Sequence, residues 1–337
     1  MSAAARLLVD ALRSPETVAE LDASGWTMLL AAARAEQLIA SLACRLQGQS
    51  MPAAAAAILA DARMAAEQGR VQALWEAEMA RRALEPLGIP VVLLKGTAFV
   101  ASDLQAGEGR FVGDLDILVP RDAIDRAEQA LLAAGWEWVK DDPYDSLYYR
   151  RWMHELPPLI HRERDHMIDV HHTILPPTAK PKPDAAALIA SSIPLPNGLR
   201  TLSSPDMVIH AAAHLLADGD LAGGLRNLWD IDRLLREVGK DVGFWQHLTN
   251  QARHHSLEKA VARALRLSNM LYGTPIDSTL DLHVTVSDRL YIRRLLARDG
   301  WGRQTRKLTR LAFYIRSHWI RMPPLLLARH LWIKARR

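Results

Sequence analysis

Two short runs of β-branched and aliphatic residues interrupt a chain whose remaining sequence is mostly helical in pattern. The first run occupies residues 89–94 and the second occupies residues 115–119, ending at Pro120. Such runs are typical of strands that are buried on both faces of a sheet. Because helices must cover both faces of such strands, the 337-residue sequence predicts an α/β (α+β) fold with a small sheet between helical segments.

Helical segments precede and follow the predicted sheet. Residues 1–85 are Ala-rich and helically periodic, with one break at 48–52. Helical periodicity returns at Ser204, where a hydroxyl, a proline and an early acid are typical of a helix start. It is interrupted near 219–224 and has a further break at Pro323-Pro324. The predicted core elements are, in order, strands at 89–94 and 115–119, a helix at 122–134 stopped by Gly135, strands at 136–139, 148–152, 159–162 and 167–171, and a proline-rich loop at 176–183.

These patterns divide the chain into three predicted regions. They are an N-terminal helical region at 1–85, an α/β core at 86–183, and a C-terminal helical region at 184–337 with a basic tail. The single cysteine, Cys44, excludes a disulfide framework and favours the cytoplasm. The N-terminal segment is interpreted as a helix and not as a signal peptide. No apolar stretch is long enough for a transmembrane helix.

The basic tail makes the charge distribution asymmetric. The formal net charge is +4, yet ten Lys or Arg residues and no acid follow Asp299, so the preceding chain is net negative. The tail predicts contact with a polyanion, with an acidic partner, or with an anionic membrane surface such as the inner membrane. The alternative is a solvated helix. The ten cations are Arg303, Arg306, Lys307, Arg310, Arg316, Arg321, Arg329, Lys334, Arg336 and Arg337.

Two carboxylates stand two residues apart at the head of the second predicted strand. Asp114 and Asp116 point to the same side of that strand because side chains alternate, while Leu115 and Ile117 pack into the core. Like charges at this spacing repel unless a cation lies between them, and oxygen ligands suit Mg²⁺. A third acid, Asp169, lies on another predicted strand beside His171. Relief of repulsion predicts that Asp-to-Asn changes here leave the metal-free protein as stable as before or more stable.

A turn that suits phosphate follows the first predicted strand. Gly96 allows close approach of the backbone to an anion, and the hydroxyl of Thr97 can donate to it. Lys95 and Arg110 are the candidate cationic partners of that phosphate. Arg110 has a second interpretation, as an ion-pair partner that orients Asp114.

The combination of these motifs resembles the bacterial uncharacterised nucleotidyltransferase family of the DNA polymerase β-like superfamily, over about residues 20–270. The motifs are Lys95-Gly96-Thr97, Arg110 followed by Gly113-Asp114-x-Asp116, and Ile168-Asp169-Val170-His171. The resemblance implies a polymerase β-like core in which Asp114, Asp116 and Asp169 hold two Mg²⁺ ions, with Mn²⁺ as an alternative. It implies that Lys95, Gly96, Thr97 and Arg110 bind ATP or another nucleoside triphosphate (NTP). A hydroxyl would attack the α-phosphorus, and pyrophosphate would leave.

Several assignments stay open at this point. His171 is interpreted as a residue behind the metal ligands, and Arg226 and Asp230 as a local helical ion pair or an acceptor-facing pair. His210 and His214 lie one helical turn apart without the glutamate of a metalloprotease motif. The acceptor is a sugar, a peptide, a small molecule, a tRNA or a protein hydroxyl. The rival functions are a non-catalytic nucleotide, nucleic-acid or acidic-partner binding module and a histidine-rich metal hydrolase.

Overall fold

A seven-stranded mixed sheet with helices around it forms the centre of the fold, which confirms the predicted fold class. The structure is a computed structural model that describes residues 3–140, 142–280 and 283–321. The predicted break at Pro323-Pro324 lies outside those ranges. Within them, no helix combines the length and the apolar character needed to cross a bilayer.

The N-terminal helices form as the sequence predicts, and the predicted break at 48–52 separates the third from the fourth. Asp22 caps the second helix, because its carboxylate accepts a hydrogen bond from the backbone N–H of Gly25 at 2.7 Å. The fourth helix packs against the helix that follows the first strand and contacts the second strand. The N-terminal helices are α1 (Ala3–Arg13), α2 (Ala23–Ala35), α3 (Ile39–Arg45) and α4 (Ala53–Leu84).

The sheet contains both parallel and antiparallel pairs. Its strands are β1 (Val92–Leu93), β2 (Asp114–Leu118), β3 (Trp136–Trp138), β4 (Leu159–His161), β5 (Met167–His171), β6 (Ile193–Pro194) and β7 (Arg200–Thr201), and their order is β3-β4-β5-β2-β1-β7-β6. The β2–β5 and β1–β7 pairs are parallel, and the other pairs are antiparallel. Alternate residues of β2 and β5 form the centre of the core: Leu115, Ile117, Ile168 and Val170 are each exposed by 1 % or less.

The remaining helices cover the sheet and extend the core. One cluster of buried apolar residues runs from α1 to the last helix and includes residues of all three predicted regions, whose bounds stay predictions. A single π-helical turn, His214–Asp218, follows the ninth helix. The helices are α5 (Lys95–Ala101), α6 (Ile124–Ala133), α7 (Pro143–Trp152), α8 (Ala185–Ala190), α9 (Ser204–Ala213), α10 (Gly224–Val238), α11 (Phe244–His254), α12 (Glu258–Tyr272), α13 (Val286–Leu295) and α14 (Lys307–Arg321).

The predicted strand at 148–152 is wrong, because these residues form the second half of α7. Aromatic residues favour strands in general, but here they are spaced four apart and contact each other along one helix face. The ring centroids of Tyr144 and Tyr148 are 6.5 Å apart, and those of Tyr148 and Trp152 are 5.9 Å apart. Pro143 at the first helical position also favours the helix.

Other differences from the sequence predictions are small. Strand β1 covers only two residues of the predicted run, and the hairpin β6–β7 was not predicted because its strands are two residues each. The capping hydroxyl of α9 belongs to Ser203 and not to Ser204. In the tail, Arg316 donates to the carbonyl of Leu216 at 2.7 Å. The last four cations of the tail lie outside the described residues, so binding of a polyanion or a membrane surface stays a prediction.

Candidate active site

The parallel pairing of β2 with β5 brings the three predicted acids together. Asp116 lies directly opposite Asp169 in the register of the two strands, and Asp114 lies one pleat earlier on the same face as Asp116. One carboxylate oxygen from each residue lies within 4.8 Å of those from the other two. The cluster changes from exposed at Asp114 to fully buried at Asp116, so one side of it faces solvent.

Lys95 is the first residue of α5, and its side chain reaches this cluster. The backbone hydrogen bond from Leu94 N–H to the Asp116 carbonyl, at 3.0 Å, places the start of α5 beside β2. The Nζ atom of Lys95 then lies 2.6 Å from Oδ1 of Asp116. The φ of Lys95 is +49°, in the left-handed region that costs a non-glycine residue about 1–3 kcal/mol.

Asp116 is a buried anion whose charge is compensated. The same Oδ1 accepts a hydrogen bond from Nε2 of His171 at 2.9 Å. Burial by itself would raise the pKa of Asp116, but the charge of Lys95 and the hydrogen bond from His171 outweigh burial and hold that pKa below its ordinary value. The structure favours a loss of stability in the metal-free Asp116→Asn protein, against the expectation of equal stability, because the change removes the partner of a largely buried lysine.

Asp114 and Asp169 lack such compensation. Burial and the neighbouring charge of Asp116 raise the pKa of Asp114. The same two causes, with Glu155 as a further negative neighbour, raise the pKa of Asp169 to about 7. Oδ1 of Asp169 is buried and has no hydrogen-bond partner in the described part of the chain. An oxygen-rich pocket with excess negative charge and an orphaned carboxylate oxygen fits a hard divalent cation.

The raised pKa of Asp169 predicts how stability depends on pH when no divalent metal is present. The folded protein keeps this proton up to about pH 7, whereas the unfolded chain releases it near 3.8. The folded state thus binds more protons across this window, and the free energy of unfolding should fall as the pH rises from about 4 to 7. We expect Asp169→Asn to remove this fall and to be more stable than the parent by about 2–4 kcal/mol at pH 8.

Urea unfolding of the parent and of Asp169→Asn at pH 5 and pH 8, in the presence of a chelator, measures this difference. Asp122→Asn is the control, because Asp122 is exposed and lies outside the site. Equal pH dependence in the parent and in Asp169→Asn would contradict the prediction.

The structure places Gly96 and Thr97 in the buried first turn of α5. A Cβ on Gly96 would lie 2.5 Å from Nε of Arg110, so the glycine is required for close packing of that guanidinium. Thr97 is 1 % exposed, and its hydroxyl has no hydrogen-bond partner among the residues that the structure describes. The phosphate-binding roles of these two residues stay predictions.

Arg110 pairs with Asp230 and not with Asp114, which corrects one of its two interpretations. Asp230 also accepts hydrogen bonds from Arg226, at 3.1 Å and 3.0 Å, so the predicted helical ion pair forms. Arg226 and Asp230 are 5 % and 3 % exposed. Arg226 further donates to Oγ of Ser41 at 2.8 Å, which ties α10 to α3. The network therefore joins three parts of the chain behind the acids.

A small cavity of about 30 Å³ lies between this network and Lys95. His210 and His214 line it together with Arg110 and Asn227. Burial lowers the pKa of His210 well below its ordinary value and that of His214 to about 3, so both rings are neutral. Within the described residues, neither ring belongs to a group of side chains with metal-ligand spacing.

Two residues near the site are Glu155, which escaped the sequence analysis, and His154, which it noted only as one of several clustered histidines. Glu155 lies 3.4 Å from His171, measured from Oε2 to Nδ1, and His154 lies beside both. Because a strand was predicted at 148–152 in place of the second half of α7, the sequence analysis did not show where the residues that follow α7 lie. The adjacent pair His154-Glu155 was the available signal, since both residue types bind metals.

Comparison with known proteins yields one family. A family model described as "Uncharacterised nucleotidyltransferase" matches residues 22–273, about three quarters of the chain. Every candidate site residue discussed above lies inside that range. No curated protein matches the chain.

Proposed function

Because the chain belongs to the uncharacterised nucleotidyltransferase family, we propose that it transfers a nucleoside monophosphate from an NTP to a hydroxyl acceptor and releases pyrophosphate. The observation that carries this proposal is the convergence of Asp114, Asp116 and Asp169 on two paired strands, with two of the three charges uncompensated. Such a cluster can hold cations, and these suit phosphoryl-type transfer because that reaction depends on positioning and charge stabilisation.

In this proposal the three aspartates hold two divalent ions, Mg²⁺ or alternatively Mn²⁺. When bound, the ions neutralise the attacking and the leaving oxygens of the transfer. Asp116 stays ionised under all working conditions because Lys95 and His171 hold its charge. Asp169, whose buried Oδ1 has no hydrogen-bond partner in the described part of the chain, holds one of these ions and takes the proton of the acceptor hydroxyl.

The cationic residues provide the proposed triphosphate site. Lys95 is held 2.6 Å from Asp116, at the border between the acids and the cavity that Arg110 lines. Once other cations compensate Asp116, the ammonium of Lys95 is available to a phosphate oxygen. Arg110 is held by Asp230, so its role in the proposal is to add positive charge near Lys95.

The test of the proposal is ligand-induced stabilisation. We expect Mg²⁺ with its preferred NTP, at about 100 times Kd, to stabilise the parent by about 2.7 kcal/mol. The variant Asp114→Asn keeps the exposed position and the volume but loses the charge, so its melting temperature should not respond. Asp122→Asn should respond like the parent. Equal shifts in all three proteins would contradict the metal assignment.

Incubation of the protein with α-phosphate-labelled NTP and cell extract identifies the acceptor. A labelled sugar, peptide, small molecule, tRNA or protein distinguishes the acceptor classes. Binding of Mg²⁺-NTP without any labelled product would favour the rival function, a binding module that keeps the fold. The proposal places the activity in the cytoplasm, where a chain with one cysteine stays reduced.

A further inference from the structure

A second cluster of metal-binding side chains lies behind the three aspartates. It consists of His154, Glu155 and His171, whose candidate ligand atoms all lie within 4.8 Å of one another. Only His171 touches the acidic site, through its Nε2 bond to Asp116. The proposed transfer chemistry uses neither His154 nor Glu155.

Backbone pairing holds the cluster together. Glu155 forms an antiparallel bridge with His171, which extends the β4–β5 pairing to residues before the start of β4. Two hydrogen bonds flank it, from Leu156 N–H to the Val170 carbonyl and from His172 N–H to the His154 carbonyl, both at 2.9 Å. The fold therefore fixes these side chains in register.

The distances suit a small tetrahedral ion. Oε2 of Glu155 lies 3.4 Å from Nδ1 of His171 and 3.8 Å from Nε2 of His154. Ligand atoms around a tetrahedral zinc ion, with bonds of about 2.0–2.1 Å, are about 3.3 Å apart. The first separation already matches this value, and the second requires a small rotation of one side chain.

The two imidazoles are buried, and the nitrogen of His171 that faces Glu155 lacks a hydrogen bond, whereas His154 faces Glu155 with its other nitrogen, Nε2. His154 and His171 are 7 % and 1 % exposed, and the Nδ1 atom of each ring has no hydrogen-bond partner in the described ranges. A buried polar nitrogen without a partner costs about 1–3 kcal/mol. Nδ1 of His171 faces Oε2 of Glu155 at 3.4 Å, so a cation between these two atoms would bind both and would satisfy Nδ1.

The second ring nitrogen of His171 bonds a carboxylate, as the second nitrogen of a metal-bound histidine usually does. Its Nε2 donates to Oδ1 of Asp116 at 2.9 Å. A carboxylate on the second nitrogen fixes the tautomer and directs the lone pair of Nδ1 at the metal. Two imidazoles and one carboxylate form a donor set typical of zinc and unlike that of magnesium.

We propose that His154, Glu155 and His171 form a zinc-class metal site that is separate from the three aspartates. Three protein ligands leave one coordination position for water. Bound metal joins the segment after α7 to the end of β5 and, through His171, holds Asp116 in place. This inference does not rest on the proposed transferase activity.

The experiment adds Zn²⁺ alone, and Co²⁺ alone as a spectroscopic probe, to the full chain after removal of metals with a chelator. We expect one ion per chain by calorimetry and elemental analysis, and the visible bands of tetrahedral Co²⁺. Glu155→Gln and His154→Asn should each weaken binding by about 100-fold or more. Glu163→Gln, at an exposed acid, and His166→Asn, at a buried histidine outside the cluster, are the matched controls.

Asp114→Asn separates this site from the proposed catalytic one, because it should lose the response to Mg²⁺-NTP and keep the Co²⁺ bands. If His154→Asn fails to fold, metal binding by Glu155→Gln tests the proposal, because this change preserves the shape of the side chain at a partly exposed position. The proposal is overturned if the parent binds neither ion, if the Co²⁺ bands are those of an octahedral ion, or if both ligand variants bind like the controls. A proton shared by His171 with Glu155 and Asp116 would then account for the cluster.

Discussion

Replacing Asp169 by Asn is expected to lower nucleotidyl transfer by about 10²–10³-fold or more while making the metal-free protein more stable. The loss corresponds to about 3–4 kcal/mol of transition-state stabilisation, the magnitude found when one preorganised electrostatic group is removed. The gain in stability follows because Asp169 is an uncompensated acid with a pKa raised to about 7. Loss of activity with a gain in stability distinguishes a catalytic role from a structural one.

For Asp116→Asn we expect the same loss of activity but a less stable metal-free protein. This change leaves the partly buried Lys95 beside a neutral amide, so the free energy of unfolding should fall. Transfer of the α-phosphate label measures activity, and urea unfolding measures stability. Activity in Asp169→Asn close to that of the exposed control Asp122→Asn would show that Asp169 takes no part in the transfer.

Replacing Asp230 by Asn is expected to destabilise the fold by about 3–5 kcal/mol, the largest effect on stability that we predict. Asp230 is 3 % exposed and lies between the guanidinium groups of Arg110 and Arg226. Removing its charge leaves the buried Arg226 and the partly buried Arg110 without their anionic partner, and breaking a buried ion pair in this way costs far more than breaking a surface pair. The change should also loosen Arg110, which packs against Gly96.

The control is Glu67→Gln, which removes an exposed partner of Arg70 three residues away on α4. We expect no measurable change in the free energy of unfolding for this variant. Urea unfolding with unchanged m-values provides the comparison. If Asp230→Asn unfolds at the same urea concentration as the control, the Arg110–Asp230–Arg226 network does not stabilise the fold.

The local sequence pattern was sufficient to predict the two strands, β2 and β5, that carry the three aspartates. Strands β2 and β5 each alternate apolar and polar residues, and this alternation alone places Asp114 and Asp116 on one face and separates Asp169 from the core. The element α7 shows where such reasoning fails. Its aromatic residues favour a strand by propensity, but contacts between residues four apart and a proline at its start favour a helix.

The sequence by itself determined the fold class, the common face of Asp114 and Asp116, and the helical pair Arg226–Asp230, because each follows from patterns within short stretches of the chain. Only the tertiary structure decided which charges meet. Lys95 pairs with Asp116 across 21 positions, and Arg110 pairs with Asp230 across 120. The cluster of His154, Glu155 and His171 likewise depends on the bridge that continues β4–β5 pairing. Pairings of this kind depend on strand register and helix packing, which arise from burial of the whole core and have no local signature.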